Sequence, residues 1–212
     1  MTGLRDRFVS AARRLGATDD PAPLADALLA AWSEPSRRYH DVAHLEDCLA
    51  QLDDSAAEAT ERSLVEAAIW FHDAVYEPLA SDNEERSAAW ARRALGGLGV
   101  PAATVGEVAR LVLLTRHAES PPDTDRRGAL LCDIDLSILG RGREAFERYD
   151  RNIRAEYAAV PEAAYRAARR RVLAALLARS PLYLTERFRA RYEAAARANL
   201  SRLLARLDSV DG

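Results

Sequence analysis

The preference of the backbone for helix is the feature that most restricts how this chain can fold. Its 212 residues include 43 Ala against 22 Val, Ile and Thr together, with only 10 Gly and 9 Pro. Ala has the highest helix propensity, whereas β-branched residues favour strands. The composition therefore excludes an all-β or α/β fold and predicts an all-α protein.

Composition also limits the class of protein. Hydrophobic residues make up 49% of the chain and the formal net charge is −3, which predicts a soluble globular protein. The chain lacks the apolar run of a signal peptide or a membrane span, so we expect a cytoplasmic protein without a membrane partner. The arginines are scattered through helices without an aromatic-lined groove, which disfavours nucleic acid as a partner.

Apolar positions at helical spacing, separated by Pro and Gly, predict ten helices. Their approximate ranges are 4–15, 24–32, 39–52, 60–75, 82–98, 101–117, 126–139, 143–158, 161–178 and 185–207. The fourth is apolar on nearly every side between Leu64 and Phe71, which predicts a central, buried helix. Cys48 and Cys132 fall inside apolar helical stretches, and we interpret both as small buried hydrophobes rather than as a disulfide or metal ligands.

Three of the four histidines lie in two short stretches, Tyr39-His40-Asp41-Val42-Ala43-His44 and Phe71-His72-Asp73. On a helix, His40 and His44 are one turn apart and project from the same face, so two imidazoles can share a metal or a substrate. A pair of surface histidines at this spacing is the alternative interpretation.

Asp73 follows directly on an apolar run, so its carboxylate must be at least partly buried. An unpaired buried carboxylate costs several kcal/mol, which predicts a cationic partner. The C-terminal end of a helix, where the His-Asp pair lies, also favours a positive charge such as a metal ion. A His–Asp hydrogen bond that closes the helix is the alternative.

Two further acids, Asp133 and Asp135, interrupt an apolar helix. Because each residue advances a helix by about 100°, the two side chains point to nearly opposite sides. At most one of them therefore faces a shared site squarely.

The order of these residues resembles the HD superfamily of metal-dependent phosphohydrolases over about residues 35–140. The resemblance implies a single domain over 1–212, with N-terminal helices, an HD-type helical core at about 35–140 and a C-terminal helical extension at about 141–208. It also implies that His44, His72, Asp73 and Asp135 bind the metal.

The stretch around His40 is similar to the Tyr-His-Asn-x-x-His motif of cyclic-nucleotide phosphodiesterases, with Asp41 in place of Asn. This similarity implies that His40 is the general acid that protonates the leaving oxygen. The segments 38–40, 82–88 and 153–157 look like a bacterial branch of predicted metal-dependent phosphohydrolases, which extends the resemblance over most of the chain.

The function expected from these residues is hydrolysis of a phosphomonoester or phosphodiester, of a nucleotide or another small phosphorylated metabolite. Imidazoles and carboxylates suit one or two divalent ions, namely Mn, Fe, Co, Ni, Zn or Mg. Asp73 is a catalytic candidate as well as a ligand, because its carboxylate can bridge a second ion. The alternatives are an HD-type di-iron oxygenase and a nucleotide-binding module without activity.

Four further residues are candidates for substrate binding: His117, Glu84, Arg154 and Tyr157. His117 is equally a helix C-cap or an extra ligand for a second metal. Glu84 is one of several acids in the first turn of a helix, where the dipole alone explains it. Arg154 can bind an oxyanion in bidentate fashion, although Arg is common throughout this half of the chain.

Overall fold

The structure is a computed structural model that describes residues 2–55 and 57–209. Within these ranges the chain forms ten α-helices, one 3-10 helix and no strand, which confirms the all-α prediction. The α-helices are α1 (Thr2–Arg14), α2 (Ala22–Trp32), α3 (Val42–Asp53), α4 (Ala59–Phe71), α5 (Asn83–Gly97), α6 (Ala102–Leu114), α7 (Arg126–Asp135), α8 (Arg143–Glu156), α9 (Glu162–Ala178) and α10 (Glu186–Asp208).

The chain divides into two compact units, Met1–Ile134 and Asp135–Gly212. The predicted C-terminal extension begins at about residue 141, inside the second unit. None of the described helices is both long enough and apolar enough to cross a bilayer.

Helix α4 is the centre of the first unit, as its apolar sequence predicted. All its residues from Ser63 to Phe71 are buried, and it packs against α1, α3, α5 and α6. The ring of Phe8 in α1 contacts Trp70 edge-on, with centroids 5.2 Å apart. This packing fixes the C-terminal end of α4, where the His-Asp pair follows.

One buried acid of α4 is neutralised by the first helix. Glu66 is 2% exposed, and its two carboxylate oxygens accept hydrogen bonds of 2.7 Å from Arg7 and Arg14. A buried carboxylate is tolerated when it is paired in this way. The ion pairs therefore anchor α1 to the central helix.

The predicted helix over 126–139 is wrong in its last turn. Helix α7 ends at Asp135, and the chain tightens into a 3-10 helix over Leu136–Gly140. Such tightening is common at helix C-termini. Asp135 is therefore the last α-helical residue.

In the second unit, α10 packs against the 3-10 helix and α9. The side-chain amide of Asn199 donates to the carbonyl oxygens of Leu139 and Arg141, at 2.8 and 2.9 Å. Gly140 lies so close to α10 that a Cβ there would come within 2.4 Å of the Tyr192 Cβ. Only glycine fits at this contact.

Candidate metal centre

His44 is positioned by a capping interaction at the start of α3. The Asp41 carboxylate accepts hydrogen bonds from the backbone N–H groups of Ala43 and His44, at 2.9 and 3.3 Å, so the helix begins at Val42. The sequence predicted that this helix starts at residue 39, which is wrong. Asp41 is the N-cap, and its side chain satisfies the first free N–H groups of α3. His44 consequently lies in the first turn of α3.

His40 lies in front of α3 rather than on it, so the two histidines do not share a helix face. Their rings are nevertheless close, with centroids 5.9 Å apart. The imidazole of His40 stacks on the ring of Tyr76 at 4.1 Å and an angle of 30°. His40 is thus placed beside His44 by a turn and an aromatic contact.

The orientation of His72 follows from its position at the end of α4. The helix ends at Phe71, four residues before the predicted end at residue 75, and His72 is its C-cap. The Nδ1 atom of His72 lies 2.8 Å from the carbonyl oxygen of Ile69. Because a carbonyl only accepts, the Nδ1–H group of His72 donates to it, which leaves Nε2 to face His44 and Asp73.

Three atoms that can bind a metal ion lie close together at this point. The Nε2 atoms of His72 and His44 are 3.2 Å apart, and Oδ2 of Asp73 lies 3.1 Å from the former and 3.8 Å from the latter. Ligands of one ion with bonds of about 2.1 Å are separated by roughly 3.0 to 3.4 Å. The sides from His72 to His44 and to Asp73 therefore have the length expected between two ligands of one ion, whereas the side from His44 to Asp73 is longer.

A second group that can hold a metal ion comprises His44, Cys48, His72 and Asp135, each with one donor atom within 4.8 Å of the others, and it does not include Asp73. Asp135 is half-buried and is held by α7, whose other residues belong to the first unit. Asp133, two residues earlier, is buried outside this group. Of the two aspartates on α7, Asp135 is therefore the one that belongs to the group.

Cys48 was not expected in the site. It is 1% exposed, as predicted for a buried residue, but its Sγ atom lies 3.7 Å from Nε2 of His44. The i,i+4 spacing of His44 and Cys48 on α3 is the signal in the sequence that places them on one face. Imidazoles, a thiol and carboxylates together form a donor set that suits borderline divalent ions.

A buried arginine holds the two segments of the site together. Arg37 is 5% exposed and donates hydrogen bonds to the carbonyl oxygens of His40, Asp73 and Ala74, at 3.0, 2.6 and 3.1 Å. Its guanidinium also lies over the rings of Trp32 and Tyr76. No local sequence pattern distinguishes Arg37 from the exposed arginines, because its carbonyl partners on Asp73 and Ala74 are distant in the chain.

Glu84 lies near the site on the first turn of α5. Burial raises the pKa of its carboxyl, and the negative charges of Asp73 and Glu85 raise it further. The pKa of the Glu84 carboxyl therefore depends on the charge of Asp73 in the candidate centre. The sequence predicts that Glu84 lies beside the substrate, and this role stays a prediction.

The structure does not bring the remaining candidates into the group. His117 follows α6 with a φ of 52° and is not among the four residues that lie within 4.8 Å of one another. Arg154 and Tyr157 belong to the second unit. The guanidinium of Arg154 donates to the carbonyl oxygens of Tyr157 and Val160 and to Glu162, so it closes the end of α8.

We compared the chain with protein-family models, with curated proteins and with solved structures, and none of the three comparisons found a match.

Proposed function

We propose that this chain is a metal-dependent phosphohydrolase that cleaves a phosphomonoester or phosphodiester of a nucleotide or another small phosphorylated metabolite. The observation that carries the proposal is the triangle of Nε2 of His44, Nε2 of His72 and Oδ2 of Asp73, with His40 beside it. The resemblance of the same residues to the HD superfamily supports it.

His44, His72, Asp73 and Asp135 would hold the metal. A divalent ion bound there would lower the pKa of a water molecule towards neutrality and polarise a phosphoryl oxygen. The Nδ1–H group of His72 is directed to the Ile69 carbonyl, which keeps the Nε2 lone pair available as a donor. The fold therefore presents a prepared nitrogen donor.

His40 would supply the proton for the leaving oxygen. Stacking on Tyr76 fixes the plane of its imidazole, and the hydrogen bond from Arg37 to its carbonyl oxygen fixes its backbone. A positioned acid of this kind contributes about 100-fold to 10,000-fold to a rate. Glu84, at the edge of the site, would orient a water molecule or the substrate.

The di-iron oxygenase alternative relied on His117 as an additional nitrogen donor. His117 lies outside the four-residue group, so that alternative gains no support from the described residues. Phosphoester hydrolysis requires no further nitrogen ligand.

The test is hydrolysis by purified protein that has been stripped with a chelator and reloaded with Mn²⁺, Co²⁺, Ni²⁺ or Zn²⁺. We expect turnover of p-nitrophenyl phosphate or bis-p-nitrophenyl phosphate, and its loss in His72→Ala and Asp73→Ala. Glu46→Gln, an exposed change on α3, is the matched control and should leave the activity intact. Full activity in folded His72→Ala and Asp73→Ala proteins would refute the proposal.

A further inference from the structure

The sulfur atom of Cys48 lies inside the candidate metal centre rather than in the surrounding apolar core. We propose that Cys48 is itself a metal ligand and makes the centre selective for thiophilic divalent ions, such as Zn²⁺, Co²⁺ or Fe²⁺, over Mn²⁺ and Mg²⁺. The inference rests on the metal centre of the proposed function and is independent of which phosphoester is cleaved.

The distances fit a tetrahedral centre that contains one sulfur. With bonds of about 2.3 Å to sulfur and about 2.05 Å to nitrogen, a tetrahedral ion separates S from N by roughly 3.5 Å and N from N by roughly 3.3 Å. The corresponding separations are 3.7 Å from Sγ of Cys48 to Nε2 of His44 and 3.2 Å between the two Nε2 atoms. Both agree within a few tenths of an ångström. The sulfur also lies 3.8 Å from Nδ1 of His44, whereas an ion on the Nε2 lone pair would place it roughly 5 Å from that atom, so the Cys48 side chain must turn towards Nε2 to bind.

The backbone holds Cys48 beside His44. Cys48 follows His44 by one turn of α3, and the Asp41 cap fixes the start of that helix. The sulfur lies 3.8 Å from Nδ1 of His44 as well, and both residues are buried. A rotation about the χ1 bond of Cys48, with the backbone of α3 unchanged, is the movement that brings the sulfur towards Nε2.

Binding of the ion would convert the Cys48 thiol to a thiolate ligand. The S–H proton leaves to solvent as the sulfur lone pair forms the bond to the ion, so one proton is released for each bond formed. A thiolate is a soft donor and favours Zn²⁺ over Mn²⁺ or Mg²⁺, which prefer oxygen ligands. Without Cys48, the remaining donors are imidazoles and carboxylates, which discriminate less.

Absorption spectroscopy of the cobalt-loaded protein tests the assignment directly. A thiolate bound to Co²⁺ gives a charge-transfer band in the near ultraviolet that imidazole and carboxylate ligands do not give. The chain has two cysteines, and the second, Cys132, is buried with its sulfur 3.8 Å from the carbonyl oxygen of Leu114. Cys132→Ser is therefore the matched control, and it leaves Cys48 as the sole thiol.

We expect the band in the wild type and in Cys132→Ser, and its loss in Cys48→Ser. We also expect the ratio of Zn²⁺ to Mn²⁺ affinity to fall by about tenfold or more in Cys48→Ser. If Cys132→Ser binds cobalt but lacks the band, Cys48 is not a ligand, and this result does not depend on whether Cys48→Ser folds. The proposed function would still stand. Failure of the wild type to bind any divalent ion would overturn both.

Discussion

The guanidinium of Arg37 donates a hydrogen bond of 2.6 Å to the backbone carbonyl oxygen of Asp73, a residue 36 positions away. The same side chain donates to the carbonyl oxygen of His40, so one buried cation connects the segment before α3 to the turn after α4. The geometry of the candidate centre therefore depends on a residue that is not one of its ligands.

Removal of this connection is expected to destabilise the protein. Arg37→Ala leaves one buried and two partly buried carbonyl oxygens without this donor, and we expect the free energy of unfolding to fall by about 2 kcal/mol. Urea unfolding in the presence of a chelator measures the effect without a contribution from metal. Arg38→Ala, an exposed change next to it, should stay within about 0.5 kcal/mol of the wild type.

The two histidines of the His40 stretch are expected to have different phenotypes. His44→Ala should lose bound metal together with activity, whereas His40→Ala should retain metal and lose about 100-fold to 10,000-fold in rate on a substrate with a poor leaving group. The deficit of His40→Ala should shrink with nitrophenolate, which needs little protonation. Metal stoichiometry and rates on both kinds of substrate measure this difference.

Equal loss of metal in the two variants would contradict the assignment of His40 as the acid. A His40→Ala deficit that does not depend on the leaving group would contradict it as well. Either result would indicate that both histidines are ligands.

Glu84 should give the metal-free protein a stability that falls as the pH rises. Burial, followed by repulsion from Asp73 and Glu85, raises the pKa of its carboxyl above the ordinary value of 4.5. The folded state therefore binds this proton more tightly than the unfolded state, and stability is lost as the pH rises through the folded pKa. Glu84→Gln should accordingly be more stable than the wild type at pH 7, with the difference vanishing at acid pH.

A second glutamate offers a control of opposite sign. A hydrogen bond from Arg86 lowers the pKa of the exposed Glu77 carboxyl. Glu77→Gln should therefore be less stable than the wild type at pH 7, and this difference should disappear as the pH falls. Thermal unfolding of both variants at several pH values measures the two trends, and trends of the same sign would contradict the prediction.

Gly140 should be essential to the packing of the second unit. A Cβ at Gly140 would lie within 2.7 Å of the backbone oxygen of Tyr192, so Gly140→Ala must displace α10 or the 3-10 helix. We expect a loss of about 1 to 3 kcal/mol in the free energy of unfolding. Gly142→Ala, where no atom lies within 4 Å of the added Cβ, is the control and should be close to neutral.

The helical fold could be predicted from the sequence because propensity and apolar spacing are local properties. The ends of helices were less accurate, since Asp41 ends one segment and begins α3 through its own side chain. Burial of α4 followed from its apolar run. These features all depend on residues within a few positions of one another.

Only part of the candidate site could be predicted from the sequence. His44, His72 and Asp135 lie in one group, and Asp73 contacts both histidines. The i,i+4 spacing places Cys48 beside His44, but its proximity to His72 and the contacts of Arg37 with Asp73 and Ala74 join segments that are far apart in the chain. An apolar stretch around a cysteine gives no indication of which side chains another helix will bring to it.

Trp32 provides an optical signal for occupancy of this centre. Its indole N–H donates to the carbonyl oxygen of Trp70 at 3.0 Å, and its ring lies 5.4 Å from the imidazole of His72. A paramagnetic ion held by His72 would lie within a few ångströms of the indole and quench its fluorescence, whereas Zn²⁺, with a filled d shell, would quench far less. Fluorescence titration with Co²⁺ should therefore follow metal uptake in the unlabelled protein, and Trp32→Phe should remove most of that response.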